Sequence, residues 1–516
     1  MNLADVRAEW SAETSIANSS SAAPSVDPRL HMPSDAVPKP PEHQSYWACV
    51  MCLIGVNYFS TLGYQPTIAF EALGLLAPLA TIVLVALTLF GALPVFRRVA
   101  HKSPHGQGAI ALIERLLGGW TGKFLVLVLL AFAATEFVIV KTLSAADAAE
   151  HLIHNPFFAN APAVLQNRML LTMTLLVLLG AIFLGGFREL IMVAVVLVGM
   201  YLLLNLVIIF SGLWHLATHP DMLTAWYENV MAGRWYMDHA PAAGQGVLST
   251  ALICLLLFPT LALGLSGLET GIAAMPLVRG DTNDNPRKPV GRIRNTQKLL
   301  TTAALIMSFM LLGSSVVTTM LIHPDALLSD GAAENRALAF IAHGDTAARI
   351  NPLFGTVFGT IYDISTVAIL WFAGASAMSA LLNLVPRYLP RYGMTPKWAQ
   401  AIGILVLVFT GINLFVTWVF DASVQAQAGA YTTAVLVLVC NNCLAVTIVD
   451  WKRRRGPWYV RFSWRYFAIT LIFVYMTIAI IIKTPEGLMI AAAFILSSIV
   501  FSMISRRNTE QALRAE

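Results

Sequence analysis

Two apolar stretches of this 516-residue chain are interrupted by small and polar residues, types whose side chains and freed backbone groups can bind ions or small molecules. The first interruption, 55–64, carries four side chains with neutral oxygens: Asn57, Ser60, Thr61 and Tyr64. The second, 264–271, carries Ser266, Gly267 and Glu269. In hydrocarbon, an unwound helix leaves backbone groups without partners, at several kcal/mol each, unless they line a polar cavity. Freed carbonyls and hydroxyls suit a monovalent cation or an ammonium group, and freed N–H groups suit a carboxylate. The pattern predicts a substrate site near the middle of a membrane.

Acidic residues near the predicted midplane are the candidates for moving protons or cations, because charge inside a bilayer is costly. Glu269 is predicted to be the principal proton-coupling residue and Glu136 a second one. Helix capping by Glu269 and a structural ion pair at Glu136 are the competing interpretations. Asp363, with Thr366 one turn away, is predicted to form a cation or proton site. Asp147 shares one helix face with Glu136 in a polar stripe that would line the pathway.

The elements that position these residues are membrane-spanning helices. Hydrophobic residues make up 57% of the chain and charged residues 12%, and the mean hydropathy is +0.70, values that exclude a soluble fold of this length. The fold class predicted is an all-α integral membrane protein with twelve transmembrane helices, of which helices 1 and 6 are broken. The predicted spans are 46–75, 76–96, 122–149, 167–187, 190–215, 247–276, 299–322, 353–385, 398–420, 428–449, 465–483 and 486–505.

The two ends of the chain differ from this apolar body. Residues 1–44 are rich in Ser, Ala and Pro and are predicted to be a disordered cytoplasmic tail. Residues 45–505 form the transporter domain, and 506–516 form a short cytoplasmic C-terminal tail. The tail at 1–44 does not have the order of charged and apolar residues of a cleaved signal peptide.

The distribution of basic residues predicts the orientation. Most of the 33 Lys and Arg residues fall in the tails and in alternate loops, which places both termini in the cytoplasm of a bacterial-type inner (plasma) membrane. The net charge of +5 is explained by this topology and by contact with anionic membrane lipids, so no nucleic-acid partner is expected.

Two other patterns have spacings that resemble metal or nucleotide sites. The pairs Cys49/Cys52 and Cys440/Cys443 have zinc-ligand spacing, but they lie in apolar helices without a neighbouring His, so no metal site is predicted. Gly106 and Gly108 follow no strand, so no nucleotide site is predicted. Neither a cofactor nor an enzymatic activity is expected.

Several segments together resemble permeases of the amino acid–polyamine–organocation (APC) superfamily. These segments are the first-helix interruption, the loop at 103–110 with its amphipathic helix, the stretch at 265–271, and the stretch at 383–393. The resemblance covers about residues 46–505. It implies the LeuT-like fold, in which five helices and a five-helix inverted repeat are followed by two further helices.

Within the superfamily, the first helix is similar to the KUP-like potassium transporters. In that branch an acidic residue, a Ser three positions on and a Tyr seven positions on contribute to the ion site. Ser60 and Tyr64 match these offsets, but Asn57 stands where the acid is expected. The positive charge of Lys141 in the third span also disfavours a nearby cation.

The resemblance and the residues together predict a proton-coupled secondary transporter. A small amino acid is the preferred cargo, K⁺ is the alternative, and a non-transporting receptor on the same fold is the third hypothesis. The expected partners are therefore the small-molecule or ion substrate, protons and membrane lipids.

Overall fold

The computed structural model describes residues 44–496 apart from 105, 107, 117–118, 159–160, 163–164, 187–190, 238–243, 286–287, 329–330, 347–349, 389–401, 454–462 and 494–495. Within those ranges the regular structure is helical, and β-pairing is limited to two isolated bridges. The predicted tails, 1–44 and 506–516, lie outside the described residues except for Gln44, as does most of the predicted last span, 486–505.

The helices follow one another with short connections. In chain order they are α1 (Trp47–Phe59), α2 (Gln65–Leu73), α3 (Ala77–Leu87), α4 (Leu93–Lys102), α5 (Gly108–Leu116), α6 (Gly119–Ile153), α7 (Arg168–Leu184), α8 (Ile191–Thr218), α9 (Pro220–Met231), α10 (Gly246–Leu257), α11 (Gly267–Ala273), α12 (Val290–Leu321), α13 (Pro324–Leu327), α14 (Ala337–His343), α15 (Thr356–Tyr388), α16 (Ile402–Val419), α17 (Val424–Arg453) and α18 (Trp464–Lys483). Shorter 3₁₀ segments cover Ser60–Leu62, Gly74–Leu76, Pro156–Phe158, Phe258–Leu265 and Met275–Leu277, and a π-helical turn covers Thr88–Ala92.

Nine stretches of the described chain are long and apolar enough to cross a membrane. The first of them, Trp47–Lys102, has 56 residues and therefore exceeds the roughly 20 residues that one crossing needs. It contains the two predicted spans 46–75 and 76–96, which are separated at Gly74. The helix α7 is apolar but shorter, with 17 residues. The chain is a multi-pass all-α membrane protein, and the count of twelve spans stays a prediction.

The first broken helix joins α1 to α2 through the 3₁₀ turn Ser60–Leu62. Pro66 lies in the first turn of α2, where its missing N–H costs nothing, and this position favours a new helix start. The prediction placed the interruption at 55–64, whereas α1 stays helical through Phe59. The first half of that assignment is therefore wrong, because Gly55 and Asn57 keep their helical hydrogen bonds.

The second broken helix is interrupted earlier than predicted. The 3₁₀ segment Phe258–Leu265 separates α10 from α11, and Glu269 lies inside the first turn of α11. Pro259 explains the position, because it cannot donate to the carbonyl four residues before it. That carbonyl, of Leu255, accepts instead a hydrogen bond from the Tyr475 hydroxyl at 3.2 Å. The predicted interruption at 264–271 is thus displaced toward the N-terminus.

The uninterrupted helix α6 lies at the centre of the molecule. It packs along α15 and α17, and α1 packs against α8, α12 and α15. The outer surfaces of the bundle carry large apolar side chains, as expected for helices that face lipid. The long helix α6, which carries the predicted polar stripe, approaches the first broken helix where Asp147 lies near Gly63.

Candidate transport site

A buried carboxylate lies beside the first helix break. Asp147 of α6 is fully buried, and neither of its oxygens has a hydrogen-bond partner among the described residues. A methyl group built on Gly63 would lie 3.0 Å from Asp147 Oδ2, 3.3 Å from the Ser60 carbonyl oxygen and 3.6 Å from Thr366 Cγ2. Because Gly63 has no side chain, a small space lies between the carboxylate, the break and α15.

The predicted residues of the first break are hydrogen-bonded to one another, and the Ser60 carbonyl lies next to this space. Ser60 Oγ donates to the Asn57 carbonyl at 3.0 Å, and the Tyr64 hydroxyl donates to Thr61 Oγ1 at 3.3 Å. All four side chains are buried. Ser60 begins the 3₁₀ turn and Tyr64 follows it, so the two residues do not lie on one α-helical face. Tyr64 instead turns back onto the break.

The helix that follows the first break contacts the second break. Gln65, the first residue of α2, donates through Nε2 to the Leu261 carbonyl at 2.9 Å in the second break. The Tyr58 ring covers Gly267, since a methyl group built there would lie 2.1 Å from Tyr58 Cγ. Ser266, next to Gly267, is buried. The start of α11 is therefore covered by an aromatic ring.

The two predicted proton-coupling residues meet in one cavity. Glu136 and Glu269 line a cavity of about 490 Å³. The cavity also reaches Pro276 and Gly106, and Gly106 belongs to the loop between α4 and α5. The Asn442 side chain of α17 donates to Glu269 Oε2 at 3.3 Å. In the orientation predicted from the basic residues, the side of the α4–α5 loop would face the cytoplasm. The two carboxyl groups therefore share one cavity, and their role in proton coupling stays a prediction.

Asp363 belongs to a different cluster from the one predicted. Its carboxylate accepts hydrogen bonds from His151 Nδ1, His343 Nε2 and Asn155 Nδ2, each at 2.8 Å. Three donors occupy both oxygens, so Asp363 does not act together with Thr366. The Thr366 hydroxyl donates to the Tyr362 carbonyl, and its methyl group faces Gly63. Thr366 thus lies at the first break. Asp363 lies one turn away along α15, on the side of Thr366 that is farther from the Glu136–Glu269 cavity.

The helix α6 aligns three of these groups. Residues eleven positions apart on an α-helix differ by about 20° in direction and about 16 Å in height, so Glu136 and Asp147 share one face. His151 lies one turn beyond Asp147, and its Nε2 is buried without a partner in the described structure. Along α6, Glu136 therefore lies at the cavity, Asp147 at the first break and His151 in the cluster with Asp363 and His343. This column runs through most of the thickness of a membrane.

Lys141 does not face this column. It is about 120° away from Asp147 around the α6 axis. Its Nζ lies 3.5 Å from Met378 Sδ and 5.5 Å from the centroid of the Phe409 ring. The Lys141 amine thus lies against Met378 and Phe409, and the expected effect of its charge on a nearby cation stays a prediction.

Several functional candidates were missed at the level of sequence. Asp147 was predicted only as part of a polar stripe, although its Oδ2 lies 3.0 Å from a methyl group built on Gly63. His151 could have been found from its spacing of four from Asp147 on the same face. His343 and Asn442 are brought in by α14 and α17, and no local pattern indicates their positions. No group of three or more His, Cys, Asp or Glu residues in the described ranges is placed to hold a metal ion.

Comparison with known proteins identifies the fold. No protein-family model matches the chain, and no curated protein matches it. Three crystal structures of mutants of the manganese transporter of Eremococcus coleocola are similar to it, with TM-scores of 0.50, 0.52 and 0.51. Each is 13% identical and covers 91% of this chain and 97% of the transporter chain. The chain therefore has a transporter-type fold.

Proposed function

We propose that this chain is a proton-coupled secondary transporter whose cargo is a small monovalent cation of the potassium type. The cation would bind between Asp147 and the first helix break. Both termini would lie in the cytoplasm of a bacterial-type inner membrane, as the distribution of basic residues indicates.

One observation carries this proposal: the Asp147 carboxylate is buried beside the break without a hydrogen-bond partner. A buried carboxylate without a hydrogen-bond partner is destabilising by several kcal/mol unless a proton or a cation neutralises it, and the neutral oxygens around Asp147 are the reason to propose a cation. The Ser60 carbonyl and the hydroxyl groups of the break supply the neutral oxygens that a weakly hydrated cation needs. The acid that is missing at Asn57 in the KUP-like pattern would thus be supplied by the third span.

The site geometry favours K⁺ over the amino acid that the sequence favoured. Tyr58 covers Gly267 at the start of α11, where the carboxylate of an amino acid would bind the freed N–H groups. Lys141 points toward Met378 and Phe409 and leaves the Asp147 side open to a cation. A single carboxylate balances one charge, which fits a monovalent ion better than the Mn²⁺ of the fold neighbours.

Proton coupling is supported by the cavity that Glu136 and Glu269 share. Two carboxyl groups in one cavity repel each other when both are ionised, so one of them readily holds a proton. Glu269 also has a neutral partner in Asn442, which stays bonded in either protonation state.

A small amino acid remains the second candidate cargo. The 490 Å³ cavity is larger than a cation requires, and it is within the range of cavities that bind small molecules. In this alternative the amino acid would enter from the cavity, and Tyr58 would have to move away from Gly267.

The test is uptake into proteoliposomes with and without an inward proton gradient. The panel contains Rb⁺ as a potassium analogue, labelled small amino acids and Mn²⁺. Gly63→Ala should abolish Rb⁺ uptake, because the new methyl group would lie against Asp147 Oδ2. Gly199→Ala is the matched control, since a methyl group there meets no atom within 4 Å. Uptake of amino acids without Rb⁺ would promote the second candidate, and absence of any gradient-driven uptake would refute both.

A further inference from the structure

A second cavity, of about 310 Å³, lies at the surface where α4, α12 and α18 meet. Four basic side chains line it, and we refer to it as the basic cavity: Arg97, Arg98, His101 and Arg465. It is separate from the transport site, because none of its lining residues belongs to the breaks or to α6. Its chemistry is therefore independent of the proposed transport function.

The basic cavity holds more positive than negative charge. Arg98 Nη2 forms a salt bridge with Asp450 Oδ1 at 2.8 Å. No acid of the described chain forms a salt bridge with Arg97 or Arg465, and both side chains are exposed. Two guanidinium groups around one small space repel each other unless an anion lies between them. A phosphate group fits, because its oxygens accept paired hydrogen bonds from guanidinium groups.

The surroundings of the basic cavity are those of a lipid-facing surface. Leu89 and Leu93 form an apolar wall of the cavity. Phe90, next to Leu89, is 72% exposed, and Trp464, next to Arg465, is 61% exposed. Exposed aromatic side chains of this kind lie at the boundary between hydrocarbon and headgroups. The charge bias makes this boundary the cytoplasmic one, where anionic lipids are concentrated.

We propose that the basic cavity binds the phosphate group of an anionic phospholipid. Arg97 and Arg465 would hold the phosphate, and the acyl chains would lie along Phe90 and Trp464. A free phosphate ion offers the same charge and the same acceptors but makes no use of the apolar surface. The two sources of phosphate can therefore be separated by experiment.

The experiment measures lipid binding to the full-length protein in detergent by native mass spectrometry. The ligands are phosphatidylglycerol, zwitterionic phosphatidylcholine and inorganic phosphate. In the double variant Arg97→Gln/Arg465→Gln, the affinity for phosphatidylglycerol is expected to fall about 30-fold, roughly a factor of five for each basic group. The double variant Lys288→Gln/Arg294→Gln removes the same charge from exposed positions on the same side, and it should stay within about threefold of the wild type.

Four outcomes would overturn the proposal. The first two are an equal loss of phosphatidylglycerol affinity in both double variants and an unchanged affinity in Arg97→Gln/Arg465→Gln. The third is phosphatidylcholine binding as tight as that of phosphatidylglycerol. The fourth is displacement of the lipid by millimolar inorganic phosphate. If the double variant does not fold, Arg97→Gln and Arg465→Gln are measured singly. Each should then weaken phosphatidylglycerol binding about fivefold, and no change in either would also reject the site. None of these results depends on whether the protein moves cations.

Discussion

Replacing Asp147 by Asn gives the sharpest test of the transport site, because it should change cation binding and stability in opposite directions. Asn has nearly the same shape as Asp but carries no charge. In the wild type, a cation about 4 Å from the carboxylate gains about 4 kcal/mol at an effective dielectric constant near 20. Since each 1.4 kcal/mol is a factor of ten, Asp147→Asn should weaken Rb⁺ binding by about a thousandfold.

The same substitution should not destabilise the empty protein. Asp147 has no hydrogen-bond partner among the described residues, so the substitution to Asn removes no hydrogen bond to them. A buried unpaired charge is itself destabilising, and its removal should leave the unfolding temperature equal or higher. Most substitutions at fully buried polar positions lower stability, so this result would be distinctive.

The assay is thermal unfolding of the purified protein in KCl and in N-methylglucamine chloride at equal ionic strength. A ligand that binds only the folded state stabilises it by about 2.7 kcal/mol at a hundred times its dissociation constant. The wild type should therefore unfold at a higher temperature in KCl, and the Asp147→Asn variant should unfold at the same temperature in both salts. Asp221→Asn, an exposed control, should behave like the wild type. Full KCl stabilisation or unchanged Rb⁺ uptake in Asp147→Asn would refute the assignment of the site.

Three further substitutions test the surrounding groups. Glu269→Gln should abolish uptake against a gradient while downhill exchange of Rb⁺ continues; gradient-driven accumulation by the folded variant would contradict its coupling role. Tyr64→Phe removes a buried hydroxyl at the break and should raise the half-saturation concentration about fivefold with little change in maximal rate, as read from initial rates of uptake. Asp363→Asn disturbs three hydrogen bonds in a buried cluster and should lower unfolding stability by about 3 kcal/mol, whereas Asp345→Asn, half exposed, should change it by less than about 1 kcal/mol.

The broken helices could be predicted because small and polar residues stand out in an apolar stretch. The predicted first and last residues of the breaks were less accurate, and the physical reason differs between the first and the second break. Pro259 starts the second break by removing one backbone donor, and a Pro next to an apolar Phe does not interrupt a hydropathy pattern. In the first break, Gly55 looks like part of the interruption but stays in α1, where its neighbours satisfy its backbone groups.

The site itself could be predicted only in part. The residues of the first break and the two glutamates could be proposed as candidates because polar groups inside hydrocarbon are costly and are kept mainly where they have a function. The grouping of Asp363 with Thr366 was wrong, because sequence spacing does not say which neighbouring helix each face meets. His343 reaches Asp363 from α14, and its ring packs so closely on Gly359 that a methyl group there would lie 2.3 Å from it. Such tertiary contacts carry no local signal in one sequence.

The ligands of the proposed cation site belong to two structural elements of different rigidity. Asp147 is carried by the unbroken 35-residue helix α6, whereas the Ser60 carbonyl and the space at Gly63 belong to the broken first helix. A displacement of the broken helix by a few ångströms would separate the Asp147 carboxylate from the Ser60 carbonyl without unfolding either helix. A bound cation would draw the two elements together, and their separation would lower its affinity and release it. The energy of ion binding would thereby be converted directly into relative movement of two helices.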